Sequence, residues 1–347
     1  MKPQKNIWLL SAYRSASHAS WASWLIKTFD EFNWQVLELS GRHFRWRIRG
    51  NPLSWIDKLP EEKPRLILAT SMVDLATLKG LHPQLANIPC LYYFHENQFA
   101  YPTSKKQHDS VDPQMVQLYG ALAADKIFFN SAYNRDSFLN GVDCLLEKLP
   151  DEVPDNITNK LKEKTKLLPV PITKIEFVEK KNPKLILWNH RWEYDKAPEV
   201  FVQALIKLND MSIDFQLALL GERAANKPTA LLEIEKKFAD KIIVNKKVSK
   251  QEYRKYLSLS PIVVSTAIHE FQGLAILEAV SAGAVPVVPN DLCYTEQYPT
   301  EFRYEANNSE ALAEKLFCFL TSLPGSPDVS FWYDAALKQK WYRTLIE

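Results

Sequence analysis

Short apolar runs alternate with longer amphipathic stretches along the whole chain. In the first half, Ile7–Leu10, Gln35–Leu39, Leu66–Ala69, Leu91–Phe94, Ile127–Asn130 and Leu167–Val170 have the length and bounding residues of strands. Between them, Ser17–Phe32, Met72–Lys79, Val111–Ala124 and Ala132–Leu146 carry apolar residues at helical spacing. The pattern restarts with strands predicted at Leu185–Asn189, Phe215–Leu220, Ile242–Asn245, Ile262–Ser265 and Val285–Val288. Its helices are predicted at Pro198–Leu208, Pro228–Phe238, Lys250–Leu259, Gly273–Ala282 and Ser309–Leu320. Such alternation predicts an α/β fold, with parallel sheets covered by helices on both faces. The charged, proline-flanked stretch Pro171–Pro183 reads as a linker, which divides the chain into domains at 1–175 and 176–330. Residues 331–347 form a last segment. Its helix, about Trp332–Ile346, gathers Trp332, Ala336, Leu337, Trp341 and Leu345 on one face.

Composition narrows the class. At 347 residues the chain accommodates two cores. Its apolar runs fall far short of the ~20 residues a membrane span requires, so none is expected. The opening Met1–Leu10 has a basic start, but its apolar part is too short for a signal peptide, and Ile7–Leu10 reads as the first strand. Four scattered cysteines argue against a disulfide framework or a zinc site and suit a reducing cytoplasm. A net charge of +2 neither demands nor excludes nucleic acid. With nine glycines and no G-x-G-x-x-G, a dinucleotide-binding dehydrogenase is not expected. Walker A, H-E-x-x-H and G-x-S-x-G motifs are absent as well.

The richest segment is His269 to Ala279. It follows the apolar run Pro261–Ile268 and leads into a helix, with Glu270 and Glu278 bracketing Gly273. The carboxyl end of a strand is where an α/β protein holds ligands. A helix starting near Gly273 aims free N–H groups at an anion, and a glycine there permits close approach. One carboxylate is then placed for a sugar and the other for a ribose, with phosphates between them. Two glutamates eight apart are also common on solvated surfaces. The context decides: a helix, a stop at Gly283 and a second apolar strand follow directly.

The Glu-x7-Glu spacing with its internal glycine closely resembles the donor motif of retaining GT-B glycosyltransferases of the family-4 type. That resemblance implies two Rossmann-like doubly wound domains facing a cleft, with the C-terminal helix crossing back onto the N-terminal domain. It implies donor contacts from Asn189, Arg191, Lys196, Glu270, Phe271, Gln272, Gly273, Leu274 and Glu278, and places a base pocket near Val248. Arg191 and Lys196 match the family's Arg-x4-Lys pair that grips a diphosphate. Chemically, the guanidinium offers a planar fork of donors and the ammonium a point charge for the leaving group. Either residue alone also fits a surface loop. The resemblance further implies front-face transfer with retention of configuration, with these cations in place of a metal and no cofactor. The chain has no Asp-x-Asp.

Several segments together are similar to one subgroup, the tRNA-queuosine mannosyltransferases. They include Ser17-His18, residues 42–49, Phe94–Gln98, Phe129–Ser131, Leu187–Glu193 and His269–Phe271. Phe271 stands where the wider family prefers glycine. The subgroup implies GDP-mannose as donor, queuosine-containing tRNA as partner, and His95 against the donor sugar or acceptor, with Asn97 also on the acceptor side. His95 equally fits a structural role at a strand end. Ser15, Ser17 and His18 occupy the first strand-to-helix turn, where relatives carry glycines; Ser17 is also a plausible N-cap. Arg42, Phe44, Arg45, Trp46 and Arg47 form a basic-aromatic run suited to phosphates and unpaired bases. In extended chain, its aromatic and basic residues fall on opposite sides, so a half-buried strand with a solvated face is the competing expectation. Two other functions stay open: transfer from another nucleotide sugar to a saccharide or lipid, and RNA binding without turnover.

Overall fold

The computed structural model describes residues 5–101, 110–176, 180–221 and 227–347. Residues 177–179 of the predicted linker lie outside the described residues. The chain divides into two compact units. Unit 1 is Met1–Val170 together with Leu337–Glu347, and unit 2 is Pro171–Ala336.

Unit 1 is built on six parallel strands: β1 (Asn6–Arg14), β2 (Asn33–Ser40), β3 (Leu66–Thr70), β4 (Cys90–Phe94), β5 (Lys126–Phe129) and β6 (Thr165–Leu167). Their order is β2-β1-β3-β4-β5-β6. β3 and β4 are buried at every position, which explains their unbroken apolar sequence: a parallel strand covered on both faces has no solvated side. The chain leaves β1 towards β2 and leaves β3 in the other direction, so β1 and β3 flank the switch point where ligands bind in such sheets.

Unit 2 carries β7 (Leu185–Trp188), β8 (Gln216–Leu219), β9 (Ile242–Asn245), β10 (Ile262–Val264), β11 (Val285–Pro289) and β12 (Arg303–Tyr304). The order is β12-β11-β10-β7-β8-β9. Its switch point falls between β7 and β10, paired through Ile262–Ile186 and Val263–Leu187.

The helix Asp334–Ile346 brings its apolar stripe, Leu337, Trp341 and Leu345, into unit 1 with no exposure. Trp341 Nε1 donates to Pro169 O at 3.1 Å. Its ring meets Trp21 and Tyr93 at centroid distances of 5.6 and 5.2 Å. No helix among the described residues is long and apolar enough to cross a membrane.

Four local expectations are corrected. The basic-aromatic run is not a strand but the start of a helix, Phe44–Ser54. It buries Ile48, Asn51 and Pro52, a three- and four-residue spacing that only a helix puts on one side. The first helix runs Ala16–Thr28 and its N-cap is Ser15, not Ser17, because the Ser15 hydroxyl accepts from the His18 N–H. The helix expected from Met72 begins at Leu75, where Asp74 accepts from Thr77 N. The strand expected at Leu167–Val170 is instead Thr165–Leu167, ending where Pro169 removes a donor from the ladder.

Candidate active site

Topology alone brings the loops that follow β7 and β10 to one crevice of unit 2, so residues more than seventy apart in sequence meet. Lys196 stands at their junction. Its Nζ donates to His269 O at 2.7 Å and to Glu270 Oε2 at 3.1 Å, and lies 3.2 Å from Asp195 Oδ2. An ammonium has three protons, and three acceptors surround this one. Burial alone would pull Lys196 down; the Glu270 and Asp195 carboxylates outweigh it and hold the ammonium above its ordinary value. Burial likewise pushes Glu270 up, but Lys196, then His190 and the Gly273 N–H, bring it from 4.5 down to about 2. Glu270 is therefore a carboxylate at any ordinary pH.

Arg191 lies in the same loop with its side chain half exposed, 3.3 Å from Glu193 and 4.0 Å from Asp195 Oδ2. His190 and His269, both buried, are lowered to about 4, chiefly by desolvation and then by the Lys196 charge. They stay neutral, so the cationic character of the crevice comes from Lys196 and Arg191. The loop is held tightly against β8. A Cβ on Gly221 would sit 1.5 Å from His190 O, so only glycine lets these backbones pass.

The helix Leu274–Ser281 starts from Gly273, which has φ 62° and caps without a side-chain bond. A Cβ there would be strained by the left-handed backbone and would meet Tyr294 Cε1 at 2.9 Å. Ile276 N donates back to Gly273 O at 2.9 Å, and the first-turn N–H groups of Leu274 and Ala275 are left to a ligand or solvent. Glu270 Oε1 accepts from Phe271 N at 3.1 Å. Phe271 is buried, edge-on to His269 at 4.7 Å, and Gln272 is tied through its carbonyl to Gln297 Nε2 at 2.7 Å. Further along the helix, Glu278 Oε2 accepts from Tyr253 OH at 2.9 Å. Asn189 Nδ2 donates to Tyr253 OH at 3.2 Å and to Ala275 O at 2.8 Å. Burial raises Glu278, opposed by Tyr253, Lys250 and Arg254. Val248 precedes the Tyr253 helix, Lys250–Leu259, which the capping box of Ser249 and Glu252 fixes at its start.

The acceptor-side candidates all lie on unit 1. His95 leaves the carboxyl end of β4, its backbone carbonyl held by Asn130 Nδ2 at 2.9 Å. Its ring stacks on His18 at 4.1 Å and is flanked by Trp21 at 4.6 Å and Tyr93 at 4.7 Å. His18 is buried, with Nδ1 2.8 Å from Tyr13 O; a carbonyl only accepts, so Nδ1 carries the proton. Desolvation brings His18 down to about 4 and His95 well below its ordinary value, with each ring opposing charge on its neighbour. The pair is neutral, and His18 supports His95 instead of presenting itself at the surface. Asn97 is fully buried. Its Nδ2 donates to Asn134 O, Asn134 Oδ1 and Ser137 Oγ, and its Oδ1 accepts from Phe99 N and Ala100 N. That leaves Asn97 no polar atom for an acceptor; it ties the loop after β4. Ser15 and Ser17 hydroxyls lie 3.0 Å apart at the first turn. Arg42, Arg45 and Trp46 are exposed, Trp46 by half, while Phe44 and Arg47 are partly covered.

Asp195, Tyr253, Gly221 and the His18–His95 stack escape a reading of the sequence. A lone acid in a charged loop, or a tyrosine on an amphipathic helix, carries no signal until the fold buries it.

Known proteins bear on this geometry. Residues 6–172 match the family model described as tRNA-queuosine alpha-mannosyltransferase N-terminal, and residues 171–322 match that for glycosyl transferases group 1. A curated tRNA-queuosine alpha-mannosyltransferase of Drosophila melanogaster is 33% identical over 328 residues, covering 90% of this chain and 86% of that protein. A sucrose-phosphate synthase from Thermosynechococcus elongatus has a TM-score of 0.73 at 13% identity, over 99% of both chains. Anabaena HepE, solved with UDP and glucose, has a TM-score of 0.70 at 12% identity over 99% of both.

Proposed function

The chain belongs to the tRNA-queuosine alpha-mannosyltransferase family, and from that premise we propose that it moves mannose from GDP-mannose to the cyclopentenediol of queuosine in a tRNA anticodon, with retention of configuration. It is a hexosyltransferase of the GT-B fold. The observation that carries the donor reading is the crevice between β7 and β10. There Lys196 and Arg191, an uncapped helix start at Gly273 and two bracketing carboxylates share one switch point.

The diphosphate meets Arg191 and the first-turn N–H groups of Leu274 and Ala275, and Lys196, whose three protons are taken by protein acceptors, exchanges one of those acceptors to reach it. Charge growing on the leaving oxygen is stabilised by these fixed donors, and loss of one such contact typically costs ~3–4 kcal/mol of transition-state stabilisation. Glu270, held ionised, orients the sugar, and Glu278 takes the ribose. The bond from the anomeric carbon to the phosphate oxygen breaks as the bond to the acceptor oxygen forms on the same face. The acceptor proton passes to the departing phosphate. On unit 1, His95 serves the acceptor side as a neutral hydrogen-bonding group, and Ser15, Ser17 and the exposed residues of 42–47 meet the tRNA. Four free cysteines fit a cytoplasmic setting.

The test is nucleoside mass spectrometry of queuosine-containing tRNA after incubation with GDP-mannose or UDP-glucose. A hexose adduct on queuosine with GDP-mannose is expected. No adduct would defeat the acceptor, and an adduct only with UDP-glucose would defeat the donor. Arg191→Ala should abolish transfer while tRNA binding persists.

A further inference from the structure

We infer that Tyr253 is a positioning residue for the donor nucleotide: it fixes Asn189 and Glu278 as a pair of hydrogen-bond acceptors that select a ribose diol. The inference rests on reading the β7–β10 crevice as the donor site.

The argument is a count of protons. Tyr253 lies partly buried on the helix Lys250–Leu259, and its hydroxyl has one proton, given to Glu278 Oε2 at 2.9 Å. The hydroxyl must then accept from Asn189 Nδ2, 3.2 Å away. Asn189 Nδ2 also donates to Ala275 O at 2.8 Å, so both amide protons are engaged within the protein. The orientation of the amide is thereby set. Only Oδ1 remains, and it is buried with no hydrogen-bond partner among the described residues. A buried acceptor without a partner costs stability unless a ligand supplies the donor. Glu278, with Oε2 engaged by Tyr253, keeps Oε1 as a further acceptor.

Two acceptors whose side chains are held by one hydroxyl discriminate between ligands. They suit a group carrying two O–H donors, and they repel phosphate oxygens or carbonyls. A vicinal diol has that chemistry. Its place in the nucleotide follows from the neighbours: Lys196 and Arg191 mark the diphosphate end, and Asn189 adjoins their loop. The crevice therefore reads ribose by its hydroxyls, through a tyrosine that need not touch it.

The experiment is a calorimetric binding cycle on the full chain. Wild type and Tyr253→Phe are titrated with GDP and with 2′,3′-dideoxy-GDP. Wild type should prefer GDP by about tenfold or more. Tyr253→Phe should lose most of that preference, weakening GDP about tenfold and leaving the dideoxy nucleotide nearly unchanged. Equal weakening of both nucleotides would mean a merely structural tyrosine and would overturn the inference. Glu278→Gln, which leaves the tyrosine in place and replaces an acceptor by a donor, should lose the same preference; a retained preference there also overturns it. If wild type binds neither GDP nor its dideoxy analogue, the donor reading itself falls, an outcome distinct from equal weakening.

Discussion

Replacing Lys196 with methionine keeps the aliphatic stem and removes the ammonium that Glu270, Asp195 and His269 O share. The Glu270 carboxyl sits at about 2 against an ordinary 4.5, despite burial that pushes it up, with Lys196 first among the groups that bring it down. Converted at ~1.36 kcal/mol per pH unit, that gap is worth about 3 kcal/mol of stability at neutral pH. Removing one member of a buried pair typically costs ~3–5 kcal/mol, in agreement. For a domain of this size, each kcal/mol moves Tm by ~2–4 °C, so unit 2 should melt about 10 °C lower at pH 7. Because the folded value is depressed, this stabilisation is complete above 4.5 and is lost as pH falls towards about 2. In the variant, a buried Glu270 without its cation protonates more readily. The gap between wild type and Lys196→Met should therefore be widest at pH 7 and narrow towards pH 3.5. Differential scanning calorimetry without nucleotide measures it, with the transition of unit 1 as internal reference. A gap that stays constant from pH 7 to pH 3.5, or a drop below 3 °C at pH 7, would refute the assignment of Lys196 as the cation that keeps Glu270 ionised.

Other outcomes follow from single contacts. Gly221→Ala should destabilise unit 2 by ~3 kcal/mol or more, because the new methyl meets His190 O at 1.5 Å, and thermal melting reads this directly. Asn97→Ala should lower the melting of unit 1 by the loss of several buried hydrogen bonds, at least ~2 kcal/mol, with KM for tRNA unchanged in those molecules that remain folded. Arg45→Ala should flatten the salt dependence of tRNA binding by ~0.7–0.9 in the log–log slope, and Trp46→Ala should weaken binding by ~1–3 kcal/mol at unchanged slope. Filter binding across a potassium chloride series tests both, and wild-type affinity in both would make this helix a solvated face.

The grouping of residues at the crevice between β7 and β10 was legible because its parts are local. Glu270, Gly273 and Glu278 fall within one strand-to-helix turn, and Arg191 and Lys196 within one loop, so spacing alone lines them up. What spacing does not report is saturation: that Lys196 has an acceptor for each proton, or that Asp195 is one of them. The run from Arg42 to Arg49 misleads for a different reason. Its aromatic and basic residues alternate, which mimics a strand over eight residues. The helical signal lies in burial of Ile48, Asn51 and Pro52, extending past the end of the run. β12 is two residues long and offers no pattern. The stack of His18 on His95 joins residues seventy-seven apart, and only the order β1-β3-β4 brings their loops together.

The helix at Leu337–Glu347 imposes an order on the making of this enzyme. Unit 1 needs Trp341 packed against the stacked rings of Trp21 and Tyr93, which flank His95. A ribosome must translate all of unit 2 before that tryptophan exists. The nascent chain therefore carries an open aromatic seam through the synthesis of unit 2, a surface for chaperones to cover. A message cut short after Ala336 would yield a complete unit 2 and an unfinished unit 1.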